Sequence, residues 1–361
     1  MNSDEQDDEK KGGMTMVRAK GGQPSIRDVA QYANVSVASV SRYLNNGGGV
    51  GAEKRQAIAA AIEMLHYQPN PIARALAVNE MSSISVILSD ISLYGPMKIL
   101  EGIEEESRRC GYLVSVSLLD ADIEKARETV DGLARSRPLG CVIIDLDRTS
   151  STHALISYIR KKMPTVLISD ERGQSDVELG AYIGGYEITK YLLSLGHKTV
   201  HHVSVPVNNN RYTRTHGWRQ ALQDAGAPIP EPIAADWDCR EANRIGEYLS
   251  TLPDVTAVFA GNDEVAAGVI RGLTMAGKRV PEDISVAGFD DNPIASLTVP
   301  SITTWRQNFK DFGFRAVRLL RKDETALSSS VALEDQLRDD ASRAAFVDQH
   351  LIVRESTTRL V

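Results

Sequence analysis

From residue 84 onward, short and largely apolar runs alternate with helical patterns, and the alternation occurs twice. ISVIL at 84–88, LVSVSLL at 113–119, CVIID at 141–145 and TVLIS at 165–169 have the composition of strands buried in a parallel sheet. Between them, 97–110, 122–136 and 153–161 read as helices. A second set follows: TVHHVSV at 199–205, AVFAG at 257–261 and ISVAGF at 284–289, with helical patterns at 185–195, 214–225, 241–252 and 264–275. Two successive runs of this kind predict two doubly wound α/β lobes built on parallel sheets. Ligands of such sheets lie beyond the carboxyl ends of the strands, so the polar residues found there come first. Asp90 follows the first run, Asp145 ends the third, Asn262 and Asp263 follow AVFAG, and Asp290 and Asp291 follow ISVAGF. Arg214 heads RTHGW and Trp237 lies in ADWD, both in the second set. Carboxylates, an amide and a guanidinium pair with vicinal hydroxyls, and an aromatic ring covers the apolar face of a sugar. Asp263 and Asp291 are equally suited to capping helices or turns.

Ahead of the lobes, SIRDVAQYANVSVASVSRYLN at 25–45 reads as two short helices and a tight turn. Ile26, Val29, Ala30 and Ala33 recur at helical spacing behind a Ser25 cap, and Asn34 tolerates a left-handed turn. Ser36 offers the second cap, and Val37, Val40, Tyr43 and Leu44 mark the next helix. A third helix over 52–65 carries Ile58, Ala61, Ile62 and Leu65. The second helix presents Val37, Ala38, Ser41 and Arg42: compact groups for close approach, and one guanidinium that can fork onto a guanine edge. Duplex DNA is therefore the expected partner. Val37, Ala38 and Arg42 would read bases, Ser36, Ser39 and Ser41 would hold phosphates, and Asn45 closes the DNA-facing set. The net charge of −7 is unhelpful to such binding, and the segment itself is only slightly basic. Tight binding then needs two such units on one site.

The order DVA, VSxxSVSRxLN, YQPNxxARALA, LGH at 195–197, GND at 261–263, ISVAGFDD at 284–291 and VREST at 353–357 resembles the lactose-repressor (LacI/GalR) family of bacterial transcription regulators. The resemblance covers roughly residues 24–360. It implies a helix-turn-helix headpiece at 24–68, a hinge at 69–81, and a two-lobed effector-binding and dimerisation domain at 82–361, similar to periplasmic sugar-binding proteins. Three crossovers between lobes are implied, near 175–185, 303–309 and 325–346. Leu76 of the hinge would wedge into the minor groove at the centre of a pseudo-palindromic operator, once from each subunit of a homodimer. Effector contacts are implied for Arg214, Trp237, Asn262 and Asp290, and less firmly for Asp90, Asp145, Gln307 and Phe309. The expected function is a sequence-specific regulator, a repressor, controlled by a small molecule of the sugar class bound between the lobes. Two departures weigh on the effector. Gly180 and Ala181 stand where many members carry a polar Asp-Asn pair, and ISLYGP at 91–96 replaces an NPFF-like segment. They leave open an alternative: a cleft without a ligand, in a regulator controlled by a protein partner.

Other classes find little support. No GxGxxG follows a strand, and GxxxxGK[ST], HExxH and GxSxG are absent, so neither an enzyme nor a cofactor is expected. Adjacent His201 and His202 should face opposite ways on a strand, and no set of histidines has metal-ligand spacing. Cys110, Cys141 and Cys239 are scattered and odd in number, which fits thiols in a reducing cytoplasm. No run is long and apolar enough to span a membrane. Residues 1–22 are polar and without periodicity and are expected to be disordered; the polar stretch at 328–343 has no functional reading.

Overall fold

Val29, Ala30, Val40, Val50, Ile58 and Ala61 come from three separate stretches of sequence and close into one small core. The helices that carry them are α1 (Ile26–Tyr32), α2 (Val37–Leu44) and α3 (Ala52–Met64). The computed structural model describes residues 24–44, 49–67, 83–120, 122–144, 150–170, 175–206, 213–235, 237, 239–322 and 349–360. The chain divides into two units, residues 1–80 and 81–361. In the first, the Ser25 amide and hydroxyl both donate to the Asp28 carboxylate at 2.7 Å, which closes the start of α1 and holds that carboxyl below its usual range. Asn34 takes φ +51°, the left-handed turn expected of it.

The second unit holds two sheets. The first lobe orders its strands β2-β1-β3-β4-β5, where β1 is Ser83–Leu88, β2 Leu113–Leu118, β3 Gly140–Ile144, β4 Thr165–Ser169 and β5 Val177–Glu178; all pairs are parallel. Its helices are α4 (Tyr94–Arg109), α5 (Ile123–Arg135) and α6 (Ser150–Lys162). The second lobe orders β11-β10-β9-β8-β6-β7: β6 is His201–Ser204, β7 Ile233–Ala234, β8 Ala257–Ala260, β9 Ser285–Asp290, β10 Thr303–Arg306 and β11 His350–Ile352. Its helices are α7 (Ala181–Ser194), α8 (Arg214–Asp224), α9 (Cys239–Leu249) and α10 (Asp263–Met275). Only β11 runs antiparallel among these described strands.

The chain passes between lobes at two of the three places the resemblance implied. It leaves β5 for α7 through Leu179 and Gly180, and it leaves β10 through Gln307 and Asn308 for α11 (Phe309–Leu320). Phe309 and Phe312 of α11 pack into the first lobe's core against Ile99 and Ile103 of α4. The return path to β11 runs through residues 323–348, outside the described residues, as is the stretch 328–343. VREST turns out to be a fastening. Arg354 donates to the Asp291 carboxylate and the Ile302 carbonyl, and the Ser356 hydroxyl donates to the Val286 carbonyl while accepting from the Thr303 amide. These bonds tie the chain's last residues to β9 and β10.

One expectation needs correction. LVSVSLL reads as a buried strand, yet β2 is the sheet's edge, with Leu113, Val116 and Leu118 exposed. Apolar composition says that a strand's side chains want cover; strand order decides whether this unit supplies it.

Candidate functional site

On the recognition helix α2, the structure separates the serines that the sequence groups together. Val37, Ala38 and Arg42 are exposed, and the Arg42 guanidinium donates to the Ala38 carbonyl at 3.3 Å. Ser36 is exposed, but its hydroxyl accepts from the Ser39 amide and so caps α2. Ser39 turns inward, buried and paired with the Ser36 hydroxyl at 2.9 Å. Its hydroxyl therefore meets the outside through the exposed Ser36 hydroxyl. Ser41 is half-buried beside Arg42. Asn45 and Leu76 lie outside the described residues.

In the second unit, a cavity of about 220 Å³ opens at the carboxyl ends of the strands. Six of the eight residues singled out for effector contact line it: Arg214, Trp237, Asn262, Asp290, Gln307 and Phe309. Asp145 lies outside the described residues. Asp90 does not line the cavity: its carboxylate accepts from the Ser92 amide at 2.7 Å in a tight turn and stays exposed. That turn instead brings Ser92 to Pro96, the ISLYGP segment, onto the wall.

Each polar group is held by its neighbours. Arg214 opens α8, whose start lies close against α7 because residue 185 is glycine; a Cβ there would overlap the Arg214 carbonyl. Its guanidinium donates to the Gly261 carbonyl, lies 4.2 Å over the Phe289 ring and sits 3.8 Å from the Asp290 carboxylate. Asn262 caps α10 by accepting from the Val265 amide at 2.8 Å. Asp290 ends β9 at φ +97°, and Asp291 and Trp237 also take positive φ, at +52° and +62°. Such backbone is costly for residues with side chains, by about 1–3 kcal/mol each, and clusters where function needs a particular aim. Asp291 itself serves as the anchor of Arg306 and Arg354, at 2.7 and 2.5 Å. Burial opposes its charge, but the two arginines outweigh it and hold its carboxyl below the ordinary range.

Burial pushes Asp290 up to about 6; Arg214 opposes this, while Glu264 and Asp170 add to it. Asp170, at the end of β4, is likewise pushed up to about 6 by burial and faces the Arg214 charge. It accepts from the Ala181 amide at 3.1 Å. Gly180, at φ +76°, has no side chain to cap α7, and Asp170 does so in its place. Asp263 is fully buried and its carboxyl is raised by that burial. Sequence reading missed Asp170, although the strand-end rule applied to TVLIS points straight at it. It also missed Glu264, the last residue of GNDE, whose carboxylate lines the cavity and accepts from the Asn292 amide group at 2.6 Å.

The opposite wall is apolar: Leu93, Tyr94, Pro96, Ile99, Leu179 and Phe309, with Tyr94 and Phe309 edge to face at 5.9 Å. His201 and His202 do face opposite ways. His202 is buried in the lobe, stacked on Phe259 and bonded to Thr215, and burial lowers it to about 4. No group of three or more metal-ligating side chains occurs among the described residues. The cysteines Cys110, Cys141 and Cys239 form no disulfide. No described helix is long and apolar enough to cross a membrane.

Comparison with known proteins gives the same architecture. Residues 25–70 match the family of bacterial regulatory proteins of the lacI type, and residues 189–357 match the periplasmic binding protein-like domain. A ribose operon repressor of Halalkalibacterium halodurans is 32% identical, over 82% of this chain and 89% of its own. The lac repressor dimer bound to operator and the anti-inducer ONPF superposes with a TM-score of 0.76 at 25% identity, covering 93% of this chain and 100% of that one. A LacI family regulator from Enterococcus faecium with bound ribose gives 0.60 at 26% identity, covering 77% of this chain and 100% of that one. Headpiece, paired parallel sheets and cleft together show that this chain belongs to the lacI family of bacterial regulatory proteins.

Proposed function

We propose that this protein is a cytoplasmic, homodimeric transcription repressor that binds a pseudo-palindromic operator and is controlled by a carbohydrate held in the cleft. The observation that carries the effector half is the cavity itself. A guanidinium, an amide and carboxylates from the second lobe face aromatic and aliphatic groups from the first, the pairing that sugars need. At about 220 Å³ it is smaller than the ~300 Å³ and upward typical of drug-sized ligands, so a monosaccharide is the natural size class. The ribose operon repressor and the ribose-bound regulator support the same class. An abandoned cleft would have no reason to keep buried charges and three positive-φ residues around an opening.

For the DNA half, exposed Val37 and Ala38 beside Arg42 leave the recognition helix smooth enough for the major groove. Leu76 of each subunit would mark the operator centre. A homodimer also accounts for the uncovered β2 edge, where a second copy can take Leu113, Val116 and Leu118 out of water. The sugar acts only through its different affinity for the DNA-bound and free states. Selection of duplexes from a random pool tests the reading. The intact protein should enrich a palindrome and the Arg42→Ala variant should not; an unenriched pool from both sinks it.

A further inference from the structure

Three buried polar atoms at the cavity wall are acceptors without donors. Asp290 and Gln307 are both more than nine-tenths buried and line the cavity, yet Asp290 Oδ1 and Gln307 Oε1 accept no hydrogen bond. Glu264 Oε2, on the same wall, is also buried without a hydrogen-bond partner, although Oε1 is held by Asn292. Buried acceptors left in this state are expensive, so the molecule that fills the space must bring donors to them. Charge is equally one-sided. Among the described residues of the lining, Arg214 is the one cation, against the carboxylates of Glu264 and Asp290. Its guanidinium donates through Nη1 to the Gly261 carbonyl and lies over the Phe289 ring, and its charge already faces two carboxylates, Asp290 at 3.8 Å and Asp170. Among the described residues, Lys98 pairs with Glu101 at 2.7 Å, and Arg306 and Arg354 pair with Asp291.

We infer that the cleft takes a donor-rich, non-anionic carbohydrate and rejects its phosphorylated or carboxylated forms, with Glu264 as the residue that enforces the discrimination. A phosphate or carboxylate would bring acceptors to acceptors and negative charge to negative charge, and the one cation among the described lining residues already faces Asp290 and Asp170. Hydroxyls, or an amine, satisfy Asp290 Oδ1, Glu264 Oε2 and Gln307 Oε1 directly. The inference rests on the carbohydrate reading for the ligand's class but not for its charge, and the two are testable apart.

Cys239 lines the cavity and is exposed, so it reports the local potential whatever the effector. The full-length protein is treated with a cationic trimethylammonioethyl and an anionic sulfonatoethyl methanethiosulfonate, and Cys239 is followed by peptide mass spectrometry. Relative to N-acetylcysteine amide, Cys239 should favour the cationic reagent by about five- to tenfold, and Glu264→Gln should remove at least half of that preference. Equal rates, or an anionic preference, overturn the inference. In parallel, calorimetry compares ribose and glucose with ribose 5-phosphate and glucose 6-phosphate. Any sugar that binds should lose at least about tenfold on phosphorylation and regain part of it in Glu264→Gln. A phosphate ester that binds as well as its parent overturns the inference and leaves the carbohydrate reading standing. Cationic preference at Cys239 upholds the charge inference whether or not ribose or glucose binds.

Discussion

The two walls of the cleft are built by opposite means. The second lobe supplies Arg214, Asn262, Glu264 and Asp290, each aimed by a helix start or a strand end and held by buried partners. The first lobe supplies Leu93, Tyr94, Pro96, Ile99 and Leu179, with Phe309 delivered to it by the crossover helix α11. One wall is rigid and charged and fixes which groups a ligand must carry; the other is apolar and gains most by covering whatever sits on the first. The division of labour places specificity in the second lobe and the drive for closure in the first.

The largest test of that contrast is Asp290→Asn. Losing a charged acceptor should weaken sugar binding by about a hundredfold, close to 3 kcal/mol, in calorimetry. The same change should raise the thermal midpoint of the ligand-free protein, since a buried carboxylate disappears from a site that pays for it. Gly185→Ala comes next. Its methyl group meets the Arg214 carbonyl, pushes α8 off α7 and moves the guanidinium. Binding should fall about tenfold and stability by about 1–3 kcal/mol, seen by titration and urea unfolding.

Acidity offers a milder handle. Asp290 and Asp170 stand at about 6 in the folded protein against 3.8 when free, so the folded state holds more protons between those values. Their contribution to stability is therefore most favourable below about pH 4 and is lost as pH rises through 6. Hydroxyl donors prefer the ionised carboxylate, so sugar affinity should climb by up to about tenfold from pH 5 to 7.5 and stay flat in Asp290→Asn. On the apolar wall, Phe309→Leu keeps the core filled but loses the ring, and affinity should drop by about threefold with discrimination between sugars unchanged. Smallest of all, Asp90→Asn should leave binding within error, because its carboxylate serves a turn outside the cavity.

Legibility in the sequence followed the range over which each feature is decided. The headpiece is local: its helices, Ser25 cap and left-handed Asn34 follow from residues within a few positions of one another. Strand ends are nearly as local, which is why Asn262 and Asp290 were readable. Asp90 was not, because the same position can turn its carboxylate to the amide two residues on. Glu264 was hidden by its neighbours, since which residue of a helix's first turn faces a cleft depends on the opposing lobe. Ser39's burial was hidden for a similar reason: its inward face is set by where α1 and α3 pack. The exposed edge of β2 is a matter of strand order, which apolar composition does not encode.

The central claim is that the cleft and the recognition helix belong to one switch. Its most direct measurement is the affinity of the full-length protein for its selected duplex, with no sugar and with sugar at a concentration that only just saturates wild type, in wild type and Asp290→Asn. The account predicts a sugar-dependent change of at least about tenfold in wild type and none in the variant, with both binding the duplex when sugar is absent. Equal operator affinity with and without a sugar that calorimetry shows to be bound would contradict it.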